Sequence, residues 1–443
     1  MSGALEGIRV IDSTTMVAMP TALHIMADMG AEVIKVDSHT LFRGEGGVFP
    51  ENDPGERHWD RDGSFNTLQR GKVGVTLNLK EDDAVNAFKD IVRVSDVIIE
   101  NNRSGTMDRL GLGYDALRAV KPDLIYLSNT GFGYTGPWRS YAGIGRMFEL
   151  TCGLSQFAGY EGEGPRRVGI SFFDQHVGWM AVFAVLAALH HRDTTGEGQW
   201  VDFAMYQIGV STLGDAVMDY ISNGRSGSSM GNRHKYLSPH GVYQCKGDDR
   251  WIAITTENDD QWEALVDQMG SPGWAQEEKF ADPILRWHNQ DELDQLIGDW
   301  TKDKDQADLA YQLQKAGVPA MAVMDGRDFA LDPHIKEREF FERVTHQPET
   351  DIGTRLYFGR PWKMSKTPAY IRRPAPMLGE HNEYVFGDLL GIDQGEIAKM
   401  YETNVIGKDP INPGSAKPTN LTRQIEQGVG STIDPDYRQK LGI

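Results

Sequence analysis

Over the first third of the chain, short apolar runs rich in Val and Ile alternate with stretches whose apolar positions recur every three to four residues. GIRVID, TALHIMADMG, AEVIKVD, VGVTLNL, DDAVNAFKDIVRV, DVIIEN, a further helical stretch and LIYLSNT follow one another in that rhythm. It predicts βαβ units and a parallel sheet covered by helices. Residues 40–72, containing FRGEGGVFPENDPGERHWDRDG, interrupt the rhythm with Gly, Pro and charge. Too polar for a core, they read as a surface excursion near a ligand.

From 140 to 220 the pattern turns helical. Its longest apolar run, Trp179 to Leu189, has 11 residues, short of the roughly 20 that cross a bilayer. It predicts a buried helix that is apolar on every side. SNGRSGSSMGNRH, rich in Gly and Ser, then marks a linker or mobile loop. A second α/β segment follows over about 235–335, with HGVYQCKGDDRWIAITT as a hairpin and NDDQWEALVDQMG and DELDQLIGDWTK as amphipathic helices. The second of these helices sets Leu293, Leu296, Ile297 and Trp300 on one face. After Arg343 come TRLYFGRPWKMS and a terminal helix, and from about 404 to 443 a Pro, Gly and polar tail that wraps a surface. No internal repeat is visible.

Composition narrows the chemistry. The 443 residues allow two to four domains at roughly 100–200 residues each. Forty-five Lys and Arg against 64 Asp and Glu leave a net charge of −19, which opposes any unspecific grip on nucleic acid or anionic membranes. A local basic pocket for one anionic ligand is compatible with that charge. Two cysteines, Cys152 and Cys245, build neither a disulfide framework nor a tetrahedral thiolate zinc site. They suit a reducing cytoplasm, and the start, MSGALEGIRVIDSTT, shows no basic and apolar export signal. The expectation is therefore a cytoplasmic protein without a bound metal.

The familiar motifs fail in context. Gly131-Phe-Gly133-Tyr-Thr-Gly136 follows a strand as a dinucleotide fingerprint should. Pro137, Trp138 and Arg139 then stand where a helix should open, and Ser13 to Pro20, the first βα turn, contains no glycine for a pyrophosphate. This is a tight loop. Gly227-Ser-Ser229-Met-Gly231 lies in the polar linker and not on a strand-to-helix elbow, so Ser229 is no nucleophile. Neither a zincin, a P-loop nor an EF-hand sequence occurs. What remains is Asp174, which opens the apolar helix in GPRRVGISFFDQHVGWMAVFAVLAALHHR. A capping role would explain it. Gly169 and Gly178 on either side leave room for a ligand, and the helix N-terminus would hold the carboxylate ionised. Such an anion can attack an activated acyl carbon without a general base.

An ordered series of motifs resembles the class III CoA-transferases, the family called CaiB/BaiF, which includes formyl-CoA and carnitine CoA-transferases and the 2-methylacyl-CoA racemases. The series comprises LEGIRVID, AEVIKVD, RGKVGVTLNLK, DVIIENNRSGTMDRLGLGYDAL, LIYLSNTGFGYTGP, GISFFDQHVGWMAVFAVLAALHHRDTTGEGQWVDFAMYQ, GNRHKYLSPHGVYQCKGDDRWIAI, AGVPAMAVM and RPAPMLGEHNEYV. Only the tail after about 404 falls outside it. The resemblance implies a large Rossmann-like, CoA-binding domain built from 1–222 and 340–403, a small α/β domain at 235–335, and two ring-shaped subunits that interlock. It also implies CoA transfer from an acyl-CoA, such as succinyl-CoA, to an acceptor acid. Asp174 would form first an aspartyl acyl-anhydride and then an aspartyl-CoA thioester. Coenzyme A and acyl-CoA are then substrates, and no cofactor is held permanently.

Further positions carry over from the resemblance one at a time. Met16, Val17 and Ala18 fall in the first βα turn, where the family contacts CoA through backbone. Asn101, Asn102 and Arg109 fall near the nucleotide and phosphates, Met205 beside the pantetheine arm, and Lys72 is a phosphate partner. Gly224, Gly227 and Gly231 lie where members have a glycine loop over the aspartate. Val17 replaces a glutamine of formyl-CoA transferase, Ser38 a common arginine and Gly145 a frequent acid, which argues against formyl or oxalyl substrates. Met16, Val17 and Met19 point to a bulkier acceptor; aromatic, dicarboxylic and steroid-like acids are all compatible. A racemase would place a histidine at or beside Ile144, and none is there, so transfer is preferred to α-proton exchange. His176 reads as structural. The chain is expected to act as a homodimer or beside a sister subunit, in which case it could itself be only the CoA-binding partner.

Overall fold

The computed structural model describes residues 3–40, 47–169, 171–427 and 433–443. Six strands, β1 (Arg9–Ser13), β2 (Glu32–Asp37), β3 (Val73–Thr76), β4 (Val97–Glu100), β5 (Ile125–Thr130) and β6 (Trp200–Ala204), form one parallel sheet in the order β3-β2-β1-β4-β5-β6. Every residue of β3, β4 and β5 is buried, as a parallel sheet covered on both faces requires. Successive side chains feed opposite cores. Val10, Val33, Val97 and Ile99 join one cluster, and Ile11, Ile34 and Ile98 the other.

The first core is closed by two crossing helices, Ala18–Asp28 and Phe172–Thr195. The second is closed by the helix Asp82–Arg93, whose Asp82 and Asp83 in the first turn and Arg93 in the last suit the helix dipole. Chain from the far end returns to the same core through Val385, Phe386, Ile397, Val405 and Ile406. A separate antiparallel sheet contains β7 (His240–Gln244), β8 (Trp251–Thr255) and β9 (Ala320–Ala322). Its core, from Tyr243 to Ala320, includes Leu293 and Ile297, with Leu296 and Trp300 packed at its edge. The hairpin β10 (Phe341–Thr345) and β11 (Thr354–Phe358) completes the strands.

Three expectations need correction. The polar excursion is a surface feature only in part; residues 41–46 lie outside the described residues, but from His58 onward the segment is helical and buries charge. Asp60, Arg61, Asp62, Arg70 and Lys72 are all buried. They are tolerated because they meet partners: Asp60 accepts Leu378 N–H at 3.0 Å, Arg61 donates to Asp351 O at 2.9 Å, and Arg70 donates to Phe358 O at 3.2 Å.

The apolar helix is longer than its apolar run, 24 residues, and long and apolar enough to cross a membrane by composition alone. It is not buried on every side. Phe173, Val177, Ala181 and Val185 face the core while Phe172, Met180 and Phe183 are exposed. The tail also starts later than 404. Val405 and Ile406 are core residues, and the Gly407 carbonyl accepts the Thr76 hydroxyl at 2.7 Å before the chain crosses the surface.

Candidate active site

Between β1 and β4 the strand order reverses, so the loops leaving these strands diverge and open a crevice at their C-terminal ends. The last paired residues there are Ser13 and Glu100. Residues 14–17, which follow β1, form a turn pinned from several sides. Thr14 donates through N–H and hydroxyl to Asp12 Oδ1, at 3.0 and 2.6 Å, and its carbonyl accepts Lys35 Nζ. Thr15 is clasped by Asn101, whose Oδ1 accepts Thr15 N–H at 2.9 Å and whose Nδ2 donates to Thr15 O at 2.7 Å. Met16, held at φ 64° and 74% exposed, is a left-handed non-glycine residue on the lip of the crevice. Such backbone strain persists only where the surroundings impose it. The Val17 carbonyl accepts Thr21 N–H and Oγ1, and Ala18 is buried.

The loop after β4 supplies the opposite wall. Glu100 is fully buried and accepts Asn102 N–H at 2.7 Å and Asn102 Nδ2 at 3.2 Å. With no cation beside it among the described residues, burial pushes its carboxyl up to about 7. Arg109 is exposed on the short helix Thr106–Arg109 and donates only to Thr106 Oγ1 at 3.1 Å, with no acid partner among the described residues.

Asp174 approaches this turn from the long helix. Gly178, one helical turn on and on the same face, has no room for a side chain: a Cβ would lie 2.6 Å from Ala18 O and 2.7 Å from Thr21 Cβ. The side chain of the neighbouring Gln175 lies 3.0 Å from Thr21 Oγ1. The space at Gly178 therefore serves helix packing and not a ligand. Asp174 is also not the cap. The helix starts at Phe172 with Ser171 before it, and Asp174 stands in the first turn without bonding the helix end.

Its carboxylate lies over Gly145, where any Cβ would collide with both oxygens, and it accepts no hydrogen bond from any described residue. Burial and then Glu149, against the weaker pull of Arg146, raise its pKa to about 6. Glu149, buried on the same helix as Gly145 (Gly145–Thr151), is fixed by Val168 N–H at 2.6 Å and Ser155 Oγ at 3.3 Å.

The structure thus sets Gln175 and Gly178, neighbours of Asp174 on its helix, against Thr21 and Ala18, and clasps the turn that holds Met16 and Val17 to Asn101 of the opposite wall, where Asn102 and Arg109 follow. It does not bring Lys72 to the crevice. That side chain is wholly buried beneath the turn, donating to Asp12 Oδ2 at 2.8 Å and Gln69 Oε1 at 2.6 Å. Burial lowers its pKa to about 8 against the pull of Asp12. The phosphate contact is excluded for this conformation, because its donors are occupied inside the protein. Met205 belongs to the first core with Phe148 and Phe173 and is 7% exposed, so its side chain is not on an open wall. In the glycine loop, Gly231 N–H donates to Gly159 O at 3.0 Å, and a Cβ on Gly227 would meet Phe157.

Sequence reasoning missed the role of Gly145 as the seat of the carboxylate, the influence of Glu149, and the buried cluster Asp12, Lys35 and Lys72. A glycine at a position often acidic was the available signal for the first; the other two depend on contacts far apart in the chain.

Comparison with known proteins shows the family of the chain. Residues 5–382 match the sequence model of CoA-transferase family III. The chain belongs to that family. It is 35% identical over 400 residues to the succinyl-CoA:mesaconate CoA-transferase of Haloarcula marismortui, covering 89% of this chain and 98% of the relative. It is 32% identical over 410 residues to the beta subunit of the succinyl-CoA–L-malate CoA-transferase of Chloroflexus aurantiacus, covering 91% and 98%. The crystal structure of a CaiB/BaiF family protein from Brucella suis superposes with a TM-score of 0.79 at 30% identity, over 88% of this chain and all of the other. As a family III CoA-transferase the chain uses CoA thioesters as substrates.

Proposed function

We propose that Asp174 is the covalent nucleophile of a CoA transfer from succinyl-CoA to a second carboxylic acid. The observation that carries this is the bare carboxylate: half-buried, without a hydrogen-bond donor, and more basic than an ordinary aspartate. At neutral pH it is still mainly an anion, and its raised basicity favours attack on a thioester. An Asp174 oxygen adds to the acyl carbon, the C–S bond breaks, and CoA leaves as thiolate from an aspartyl acyl-anhydride. The thiolate then attacks the aspartyl carbonyl, releasing the donor acid and leaving an aspartyl-CoA thioester. The acceptor carboxylate repeats the sequence in reverse and restores Asp174. Every nucleophile and leaving group is an anion, so no proton transfer is needed; water must be kept out because either intermediate would hydrolyse.

In this reading the turn 14–17, held rigid by Asn101, and the wall formed by Asn101, Asn102 and Arg109 bind the CoA nucleotide and pantetheine. Succinyl-CoA as donor is supported by the names of both relatives. Residues 1–222 and 340–403 would act as the CoA-binding body and 235–335 as a smaller one, in the cytoplasm. A second subunit, interlocked with the first, is supported by exposed Phe172, Met180 and Phe183 on the long helix and Met218, Tyr220 and Ile221 on the helix Gly214–Asn223. Light scattering of the purified chain tests for it. A sister chain in place of a second copy is the reading favoured by the relative named as a beta subunit, and it predicts CoA binding with turnover only after the sister is added.

Incubation with succinyl-CoA followed by hydroxylamine or borohydride should modify Asp174 and no other residue. Asp174→Ala transferring CoA at the wild-type rate would refute the assignment. Exchange of the α-hydrogen with deuterated solvent in the absence of an acceptor would replace transfer by racemase chemistry. A panel of aromatic, dicarboxylic and steroid-like acids, with CoA esters read by mass, identifies the acceptor.

A further inference from the structure

Beyond the edge strand β3 lies a cavity of about 490 Å³ whose walls include His346, Gln347, Arg372, Arg373, Glu380 and His381. It is not part of the crevice. Arg373 O accepts Gly71 N–H at 2.9 Å, ahead of β3, and a Cβ on Gly30, which precedes β2, would meet Arg372 Nη2 at 3.0 Å. These contacts belong to the N-terminal end of the strands, whereas the crevice opens at the C-terminal end and beyond β1. Strands of five residues separate such ends by roughly 13–17 Å.

The polar groups of this cavity are unbalanced. Neither Arg372 nor Arg373 forms a salt bridge among the described residues, in a chain whose net charge is −19, although Arg373 acts on Glu32 at a distance. The Arg372 guanidinium stacks 4.8 Å over the Tyr370 ring, yet its Nε and Nη2 are buried without an acceptor. His346, 5% exposed, bonds Tyr357 Oη through Nε2 at 2.8 Å and leaves Nδ1 buried without a partner. His381 Nδ1 accepts Gly74 N–H at 3.2 Å, so its proton is on Nε2, which is free to donate. Gln347 Oε1 is a buried acceptor without a donor. The one carboxylate, Glu380, is already held by Gln347 Nε2 at 2.7 Å and Met377 N–H at 2.8 Å.

The geometry points to a phosphate site in this cavity, separate from the Asp174 centre, in which Arg372, Arg373 and the two histidines donate to the oxyanion. Arginine forks suit phosphate and carboxylate alike. The Gln347 carbonyl distinguishes them, because hydrogen phosphate or a singly protonated phosphomonoester has an O–H to give it, whereas a carboxylate or sulfate at neutral pH has none. Burial lowers the His381 pKa, with Glu380 opposing the shift and Arg373 adding to it.

Calorimetric titration of the purified full chain with inorganic phosphate tests the site. Phosphate should bind more tightly than sulfate or succinate. Arg373→Gln, at an exposed position, should raise the phosphate Kd at least tenfold, and Arg372→Lys should weaken it less. Saturating CoA should leave the phosphate Kd unchanged. Glycerol 3-phosphate in place of inorganic phosphate decides which source of the group fits better. Absence of phosphate binding to the unmodified protein, an unchanged Kd in Arg373→Gln, or displacement of phosphate by CoA would each overturn the proposal. None of these readings depends on CoA transfer, so the site and the Asp174 mechanism fail separately.

Discussion

Asp12 and Asp174 are both aspartates withdrawn from solvent on either side of one backbone turn, and their surroundings drive them in opposite directions. Burial pushes the Asp12 carboxyl up, but Lys35 and Lys72, with bonds from Lys72 and Thr14, outweigh it and hold the group below the ordinary carboxylate range. At Asp174 burial and Glu149 act together, nothing donates, and the pKa rises to about 6. Withdrawal from water therefore does not by itself make a carboxylate more basic. The lack of donors does, and the fold uses one acid to hold the turn while leaving the other bare.

The largest expected effect is on Asp174→Asn. The rate of CoA transfer should fall by about a thousandfold or more, as for removal of a covalent nucleophile. Its stability should move the other way. The folded pKa lies above the unfolded value, so the wild-type group loses stability as pH rises through about 6. The asparagine variant should therefore melt higher than wild type at pH 7 and not below pH 4, as read by thermal scans.

Lys72→Met should act on folding. Breaking the buried pair with Asp12 should cost roughly 3–5 kcal/mol in urea unfolding, nearer the lower figure because Lys35 stays 3.6 Å from Asp12. A raised KM for succinyl-CoA with unchanged stability would instead return Lys72 to a ligand role.

Gly145→Ala places a methyl group where the Asp174 carboxylate sits. A fall in kcat of about tenfold or more is expected, as displacements near 1 Å give in a positioned site, with circular dichroism unchanged. Glu149→Gln has the smallest effect. In the proposed mechanism only the Asp174 anion attacks, so kcat/KM should rise with pH to a plateau above about 6. Removing the Glu149 charge should shift that rise to lower pH by less than about one unit.

The βαβ order, the hairpin β7–β8 and the apolar faces of Leu293 and Ile297 were legible because each rests on local periodicity. Asp174 stood out in the sequence as an acid at the start of an apolar helix, and the structure shows its carboxylate without a donor among the described residues. Lys72 was misread because RGKVGVTLNLK shows a charge next to a strand and gives no sign of Asp12, sixty positions earlier. The long helix was misread as buried all round because composition reports its apolar residues without reporting what covers them.

Taken alone, the sequence determined the parallel α/β architecture and the family, since both are written in patterns of neighbouring residues. Tertiary structure decided which charges are neutralised and which stay bare. That choice depends on distances between segments remote in the chain, and electrostatic energy changes steeply with distance once water is excluded.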